Sequence, residues 1–395
     1  MQARVGSFSS LEEGQIPLRM MHQYSKHLLP LRLLLLFLLL GVGLVFIYIS
    51  MYSYRYINIH NVASSTAATR IQTPHDGCVQ ESEGLESWIR PPSSLLHAMN
   101  DTELFWRASV VPEIDKYPFK RTPKIAFMFL TRGPLPLAPL WERFFSGNER
   151  LYSIYIHSSP GYDPEFKPSS PFYGRQIPSQ VAEWGRMNMC DAERRLLANA
   201  LLDFSNEWFV LVSEACIPLH NFTNIYTYIS QSQFSFLGAF DEDGPYGRGR
   251  YNEGMAPEVN LSDWRKGSQW FELSRKLAVD VVQDTLYHPK FEQFCRPHTC
   301  YGDEHYLPTM MTLQSPHLLA NRTLTWVDWS RGGPHPASYD EGELTEKFFK
   351  EAVGGAEGSC LYNGQATNVC FLFARKFAPT AVDHLLANSF KFLGF

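Results

Sequence analysis

Residues of the kinds that move protons and hold anions stand in this chain where apolar runs end. Thr131-Arg132-Gly133, His157-Ser158-Ser159-Pro160, Ser213-Glu214-Ala215-Cys216 and Asp241-Glu242-Asp243 each close such a run. Gly302-Asp303-Glu304-His305 opens a short helical pattern that Pro308 should disturb, and Arg375-Lys376 follows the run VCFLFA (369–374). A carboxylate such as Glu304 can take a proton from an attacking hydroxyl that lies within hydrogen-bonding reach. A first-turn position stabilises its ionised form and lowers its basicity. Fixed cations such as Arg375 and Lys376 can meet charge that develops on a departing group. A D-x-D such as Asp241 and Asp243 can hold a divalent cation. Each reading has a plainer rival. Asp303 and Glu304 also suit the cap of a surface helix, a basic pair after a strand is most often a solvated end, His157 suits a satisfied strand-end histidine, and Asp241–Asp243 suits a solvated loop before GPYGRGR.

Other chemistries lack their signatures. No G-x-G-x-x-G follows the first strand pattern and no G-x-x-x-x-G-K-[ST] occurs, so dinucleotide and P-loop readings have no support. Neither G-x-S-x-G nor H-E-x-x-H is present.

The elements that must position these residues alternate in type. KIAFMFL from Lys124, the helix-like LAPLWERFF and YSIYIH read as strand, helix and buried strand. A second helix is expected from Asp191, a plausible N-cap, with Glu193 in its first turn and Ala192, Leu196, Ala200, Leu201 and Phe204 on one face. Strands WFVLVS (208–213) and SFLGAF (235–240) follow. This cadence predicts an α/β domain of Rossmann type with a parallel sheet, whose ligands sit beyond the carboxyl ends of the strands. Residues 78–120 are mixed, with a short helical pattern around 93–109, and read as a peripheral wrap.

The chain has 395 residues, 45% apolar and 19% charged, so it can build a sizeable core and is not a disordered or collagenous chain. A net charge of −5 offers no broad footprint for a polyanion, and nucleic acid is not expected as a partner. Seven cysteines are too few for a disulfide scaffold; Cys295 and Cys300 flank the loop before Glu304, and a bridge between them is open in an oxidising lumen. From Leu33 to Ile49 no residue is charged, and Ser50-Met51 extend the stretch towards the ~20 residues that cross a bilayer. Lys26, His27 and Arg32 precede it and only Arg55 follows closely, which places the N-terminus in the cytosol. A cleaved signal is the rival, but its apolar region would run only ~7–15 residues and lie nearer the terminus. The expected organisation is a cytosolic tail (1–32), a single-pass type II anchor (33–51), a luminal stem (52–77) and a luminal domain (78–395). Asn100, Asn221, Asn260 and Asn321 are N-glycosylation sequons on the luminal side.

EWGRMNMCDAERRLLANAL, LVSEACIPLHNF, GRGRYN, SQWFELSR, CYGDEHYLPT and VCFLFARKF occur in that order within 124–379. Together they resemble the core-2/I-branching β-1,6-N-acetylglucosaminyltransferase family, and more closely its plant branch of glycosyltransferases. The resemblance implies a GT-A-like fold, Golgi residence, a UDP-sugar donor, a glycan acceptor, and inversion at the anomeric carbon with no cofactor and no essential divalent metal. Glu304 matches the family's general base, and Lys376 matches the lysine that takes the metal's place on the diphosphate, with Arg375 beside it. An arginine used upstream by animal members has no match around Gly358-Ser359-Cys360. The loop that carries D-x-D in metal-dependent relatives corresponds to Ser213-Glu214, which are expected at the donor, rather than to Asp241 and Asp243. Thr131, Arg132 and His157 stand where the fold places uridine and ribose. Trp184-Gly185 suits a wall of the donor pocket or the core. Arg250, Tyr251, Trp270 and Trp326 are the candidates for gripping the acceptor sugar, by aromatic faces and charged groups. N-acetylglucosamine, glucuronic acid and xylose all stay open as the sugar moved. A catalytically silent glycan-binding or scaffolding relative is the alternative reading.

Overall fold

The computed structural model describes residues 84–85, 89–112, 116–297, 299–355 and 358–395. The predicted tail, anchor and stem lie outside the described residues. No helix among the described residues is long and apolar enough to cross a membrane.

Helix α1 (Asp101–Ala108) is capped by Asn100, whose side chain accepts from the Glu103 N–H while Glu103 reaches back to the Asn100 N–H. It is shorter than the pattern at 93–109 predicted. Strand β1 (Lys124–Leu130) is followed by helix α2 (Ala138–Phe145), strand β2 (Tyr152–His157), helix α3 (Asn188–Leu201) and strand β3 (Asn206–Ser213). Then come β4 (Ile217–Pro218), α4 (Phe222–Ser230), β5 (Glu272–Ser274), α5 (Arg275–Val282) and α6 (Tyr287–Phe294). The chain closes with α7 (Gly302–Gln314), β6 (Thr325–Val327), α8 (Glu346–Gly354), β7 (Cys360–Tyr362), β8 (Gln365–Thr367), β9 (Phe373–Arg375) and α9 (Val382–Phe392).

The main sheet has the order β2-β1-β3-β5, parallel except for β5. Strands β1 and β3 are apolar along nearly their whole length because helices cover both faces, the pattern expected of a parallel sheet. Phe127 anchors the core beneath α2, with Trp141, Phe144 and Phe145 all edge-on to it. A second small sheet, β4-β9-β6, brings the chain's C-terminal part beside the end of β3. Hairpin β7–β8 turns at Asn363-Gly364, both at positive φ, as a two-residue turn requires, and the Cys360–Cys370 disulfide closes its base.

Three expectations need correction. Helix α3 starts at Asn188 rather than after Asp191, so Glu193 lies beyond its first turn, and it is buried. It accepts from the Gln269 side chain at 2.9 Å, and burial holds its carboxyl well above the usual range. Residues 235–240 form isolated bridges, Phe236 with Glu272 and Phe240 with Lys266, rather than a strand. Gly267 packs on the intervening Gly238 carbonyl so closely that a Cβ there would come within 1.9 Å of it. Third, Pro308 does not cut α7 short. A proline lacks the N–H that would bond four residues back, and the carbonyl so released, that of Glu304, accepts from the Gly267 N–H at 2.8 Å.

Candidate active site

The carboxyl ends of β1, β2 and β3 open into one cleft of about 1100 Å³, lined also by residues of the 240–250 and 266–270 loops, the start of α7, the 327–336 segment, and Arg375-Lys376. This is where an α/β sheet of this topology offers a site, because the crossovers leave the strand ends uncovered.

Glu304 enters from the first turn of α7. Gly302 two residues earlier lies against Met187, where a Cβ would come within 2.3 Å of the sulfur, so the helix start is pressed onto the beginning of α3. The Glu304 Oε2 accepts from Arg250 Nη1 at 2.7 Å. The Arg250 guanidinium lies over the Tyr301 ring, 4.4 Å from its centroid, with Tyr246 at 5.6 Å. The adjacent Asp303 is buried, with Oδ1 unpartnered, and burial followed by the charge of Glu304 pushes its carboxyl up to about 7. His305 is stacked on Trp264 and donates its Nδ1–H to the Arg265 carbonyl at 2.8 Å; burial pushes it down to about 3, so it is neutral.

The other end of the cleft is cationic. Arg375 and Lys376 leave β9 beside the Ser213–Cys216 turn, held by the Phe377 N–H donating to the Ala215 carbonyl at 3.0 Å. The Lys376 N–H donates to the Ala337 carbonyl and its carbonyl accepts from Tyr339. Burial, then the charges of Arg375 and Arg132, hold the Lys376 ammonium below the usual lysine range, with Glu214 opposing. Arg375 stacks on Trp270, 4.1 Å from the ring centroid. Its own shift is likewise downward, caused by burial and opposed by Cys216 and Glu214. Trp141, from α2, fixes the turn below by donating its indole N–H to the Cys216 carbonyl at 3.0 Å.

The structure therefore brings Thr131, Arg132, His157, Ser213, Glu214, Arg250, Trp270, Glu304, Arg375 and Lys376 to one cleft. Several of them already have work within the chain. The Thr131 hydroxyl bonds to the Gly133 backbone and shapes the turn. His157 Nε2 accepts from the Gln180 N–H at 3.3 Å, and burial pushes the ring down to about 4. Arg250 is the ion-pair partner of Glu304, and Trp270 is buried beneath Arg375. Tyr251 and Trp326 do not line the cleft. The Tyr251 hydroxyl donates to the Val259 carbonyl, and Trp326 packs on Tyr339 and Phe348. Asp241 and Asp243 are both engaged by Arg248, at 2.7 Å each, and Glu242 by Lys266 at 3.0 Å. Among the described residues no group of three or more His, Cys, Asp or Glu side chains is arranged to hold a metal. Cys295 and Cys300 are bridged. Asn100, Asn221, Asn260 and Asn321 all stand outside helices and strands, three of them exposed and Asn221 partly so.

Tyr301, Tyr246, Lys266 and His335 also line the cleft and were not foreseen. Lone aromatic, histidine and lysine residues in loops carry no pattern that marks them before the chain folds.

These elements form a mixed α/β domain with polar groups gathered at the carboxyl ends of its parallel strands, an arrangement consistent with a GT-A-like fold. The family model described as Core-2/I-Branching enzyme matches residues 125–353, and the chain belongs to that family. It is 36% identical over 306 residues to Glycosyltransferase BC10 of Oryza sativa subsp. japonica, an alignment that covers 67% of this chain and 76% of that relative. The chain is a glycosyltransferase.

Proposed function

We propose that this glycosyltransferase moves a sugar from a UDP-sugar to a glycan hydroxyl with inversion, using Glu304 as general base and Lys376 with Arg375 on the diphosphate. The observation that carries the reading is that Glu304 and the Arg375-Lys376 pair, far apart in sequence, line the same cleft at the strand ends. The acceptor oxygen attacks the anomeric carbon and gives its proton to Glu304 as the bond to the diphosphate breaks. The departing UDP keeps the electron pair, and its charge is met by ammonium and guanidinium groups instead of a metal. The engagement of Asp241 and Asp243 by Arg248 supports the metal-free form of this reaction. N-acetylglucosamine, glucuronic acid and xylose are the donor sugars to test. The uncharged 33–51 stretch and its flanking cations support a Golgi type II membrane protein with the domain in the lumen.

The test is UDP release by the full chain in detergent, from UDP-N-acetylglucosamine, UDP-glucuronic acid and UDP-xylose with a panel of oligosaccharide acceptors, with and without EDTA. Turnover that survives EDTA is expected and names the donor. Activity lost with chelator would transfer the diphosphate role to a metal at Asp241 and Asp243, and failure to bind UDP under either condition would remove the UDP-sugar assignment.

A further inference from the structure

We propose that Tyr301 is a positioning residue for Glu304, acting through Arg250; the inference rests on the reading of Glu304 as the base. Three observations converge on it. Tyr301 has a backbone φ of 55°, in the left-handed region that non-glycine residues seldom occupy, and it directly follows the Cys295–Cys300 disulfide. Its ring faces the Arg250 guanidinium at 4.4 Å and Trp184 at 5.0 Å. Arg250 in turn donates to Glu304 Oε2 at 2.7 Å and stands 3.5 Å from His305 Nε2.

The geometry gives the ring a task. An arginine side chain has several rotatable bonds, and one hydrogen bond to a partly exposed carboxylate leaves its plane free to swing. The Tyr301 face presents negative quadrupole charge to the guanidinium and closes one side of it. Neutral His305 places an acceptor near its edge, Nδ1 being committed to the Arg265 carbonyl. The carboxylate is thereby held in one orientation by a group that is itself held. A residue with such a backbone conformation at this point needs a local restraint, and the short Cys295–Cys300 disulfide loop that ends beside it supplies one. Misplacing a reacting group by about 1 Å can cost on the order of 10²-fold in rate, so loosening Arg250 should appear in turnover before it appears in donor binding.

Glycine is the informative replacement, because it removes the ring while accepting the left-handed backbone, so Tyr301→Gly is compatible with the fold. In the full chain, kcat and the Kd for UDP would be measured for Tyr301→Gly, Tyr301→Phe and Glu304→Gln. Tyr301→Phe should match the wild type. Tyr301→Gly should lower kcat about 10- to 100-fold while UDP binds as before. A Tyr301→Gly kcat within about twofold of wild type would overturn the inference, as would a parallel loss of UDP affinity or a Tyr301→Phe variant as damaged as Tyr301→Gly. Full activity in Glu304→Gln would instead remove the base itself, a failure that is read independently of either Tyr301 variant.

Discussion

The two ends of the cleft handle charge in opposite ways. At the α7 end four acids are matched by cations: Glu304 by Arg250, Glu242 by Lys266, and Asp241 and Asp243 both by Arg248. At the β9 end burial and the charges of Arg375 and Arg132 disfavour the charge on Lys376, and no ion pair to any of the three occurs among the described residues. A site whose charges are already matched can orient a group but gains little from an incoming ion. A site with surplus positive charge, partly desolvated, gains when an anion arrives. This contrast supports the proposed division of labour, with proton transfer at the first end and anion binding at the second.

The largest test of that division is Glu304→Gln. It should lose about 10²–10⁴-fold in transfer, the usual worth of a positioned base, with UDP affinity unchanged. Near-normal transfer, or a loss of UDP binding, would erase the contrast between the ends. Lys376→Ala should do the reverse and weaken UDP binding by roughly 10- to 100-fold, as expected for a charge-assisted hydrogen bond worth ~1.5–3 kcal/mol. Calorimetry that gave the same Kd for variant and wild type would take Lys376 off the phosphate.

A smaller effect sharpens the electrostatics of the first end. Asp303 is pushed up to about 7 in the folded chain by burial and by the charge of Glu304. The folded state therefore binds a proton that the unfolded state has released, and stability falls as pH rises from about 4 to about 7. Asp303→Asn should flatten that slope, so that the difference in Tm between pH 5 and pH 7.5 shrinks by a few degrees, about what 1–2 kcal/mol is worth in a domain this large. An unchanged slope in thermal melts would mean that Asp303 does not hold its proton.

Much of the frame was legible before folding. The runs KIAFMFL, YSIYIH and WFVLVS form β1, β2 and most of β3, because a buried strand needs apolar residues on both faces and little else in a chain reads that way. Glu193 reads as a first-turn residue because Asp191 suits an N-cap, whereas the helix begins at Asn188, so Glu193 lies deeper in α3 on a surface covered by the 269 loop. Tyr251 and Trp326 share their composition with sugar platforms but were absorbed by local packing. SFLGAF alternates poorly and carries Gly238, and its neighbours gave it bridges instead of a ladder.

The sequence by itself determined which residues have the chemistry, and that polar groups would gather at strand ends, since local propensity and apolar periodicity act over a few residues. Only the tertiary structure decided which of them meet. The ion pair of Arg250 with Glu304 joins residues 54 apart, and β9 reaches the Ser213 turn through pairing with β4. Long-range contacts of this kind depend on how elements pack and on which carbonyl a proline such as Pro308 leaves free, and neither is written in the spacing of side chains.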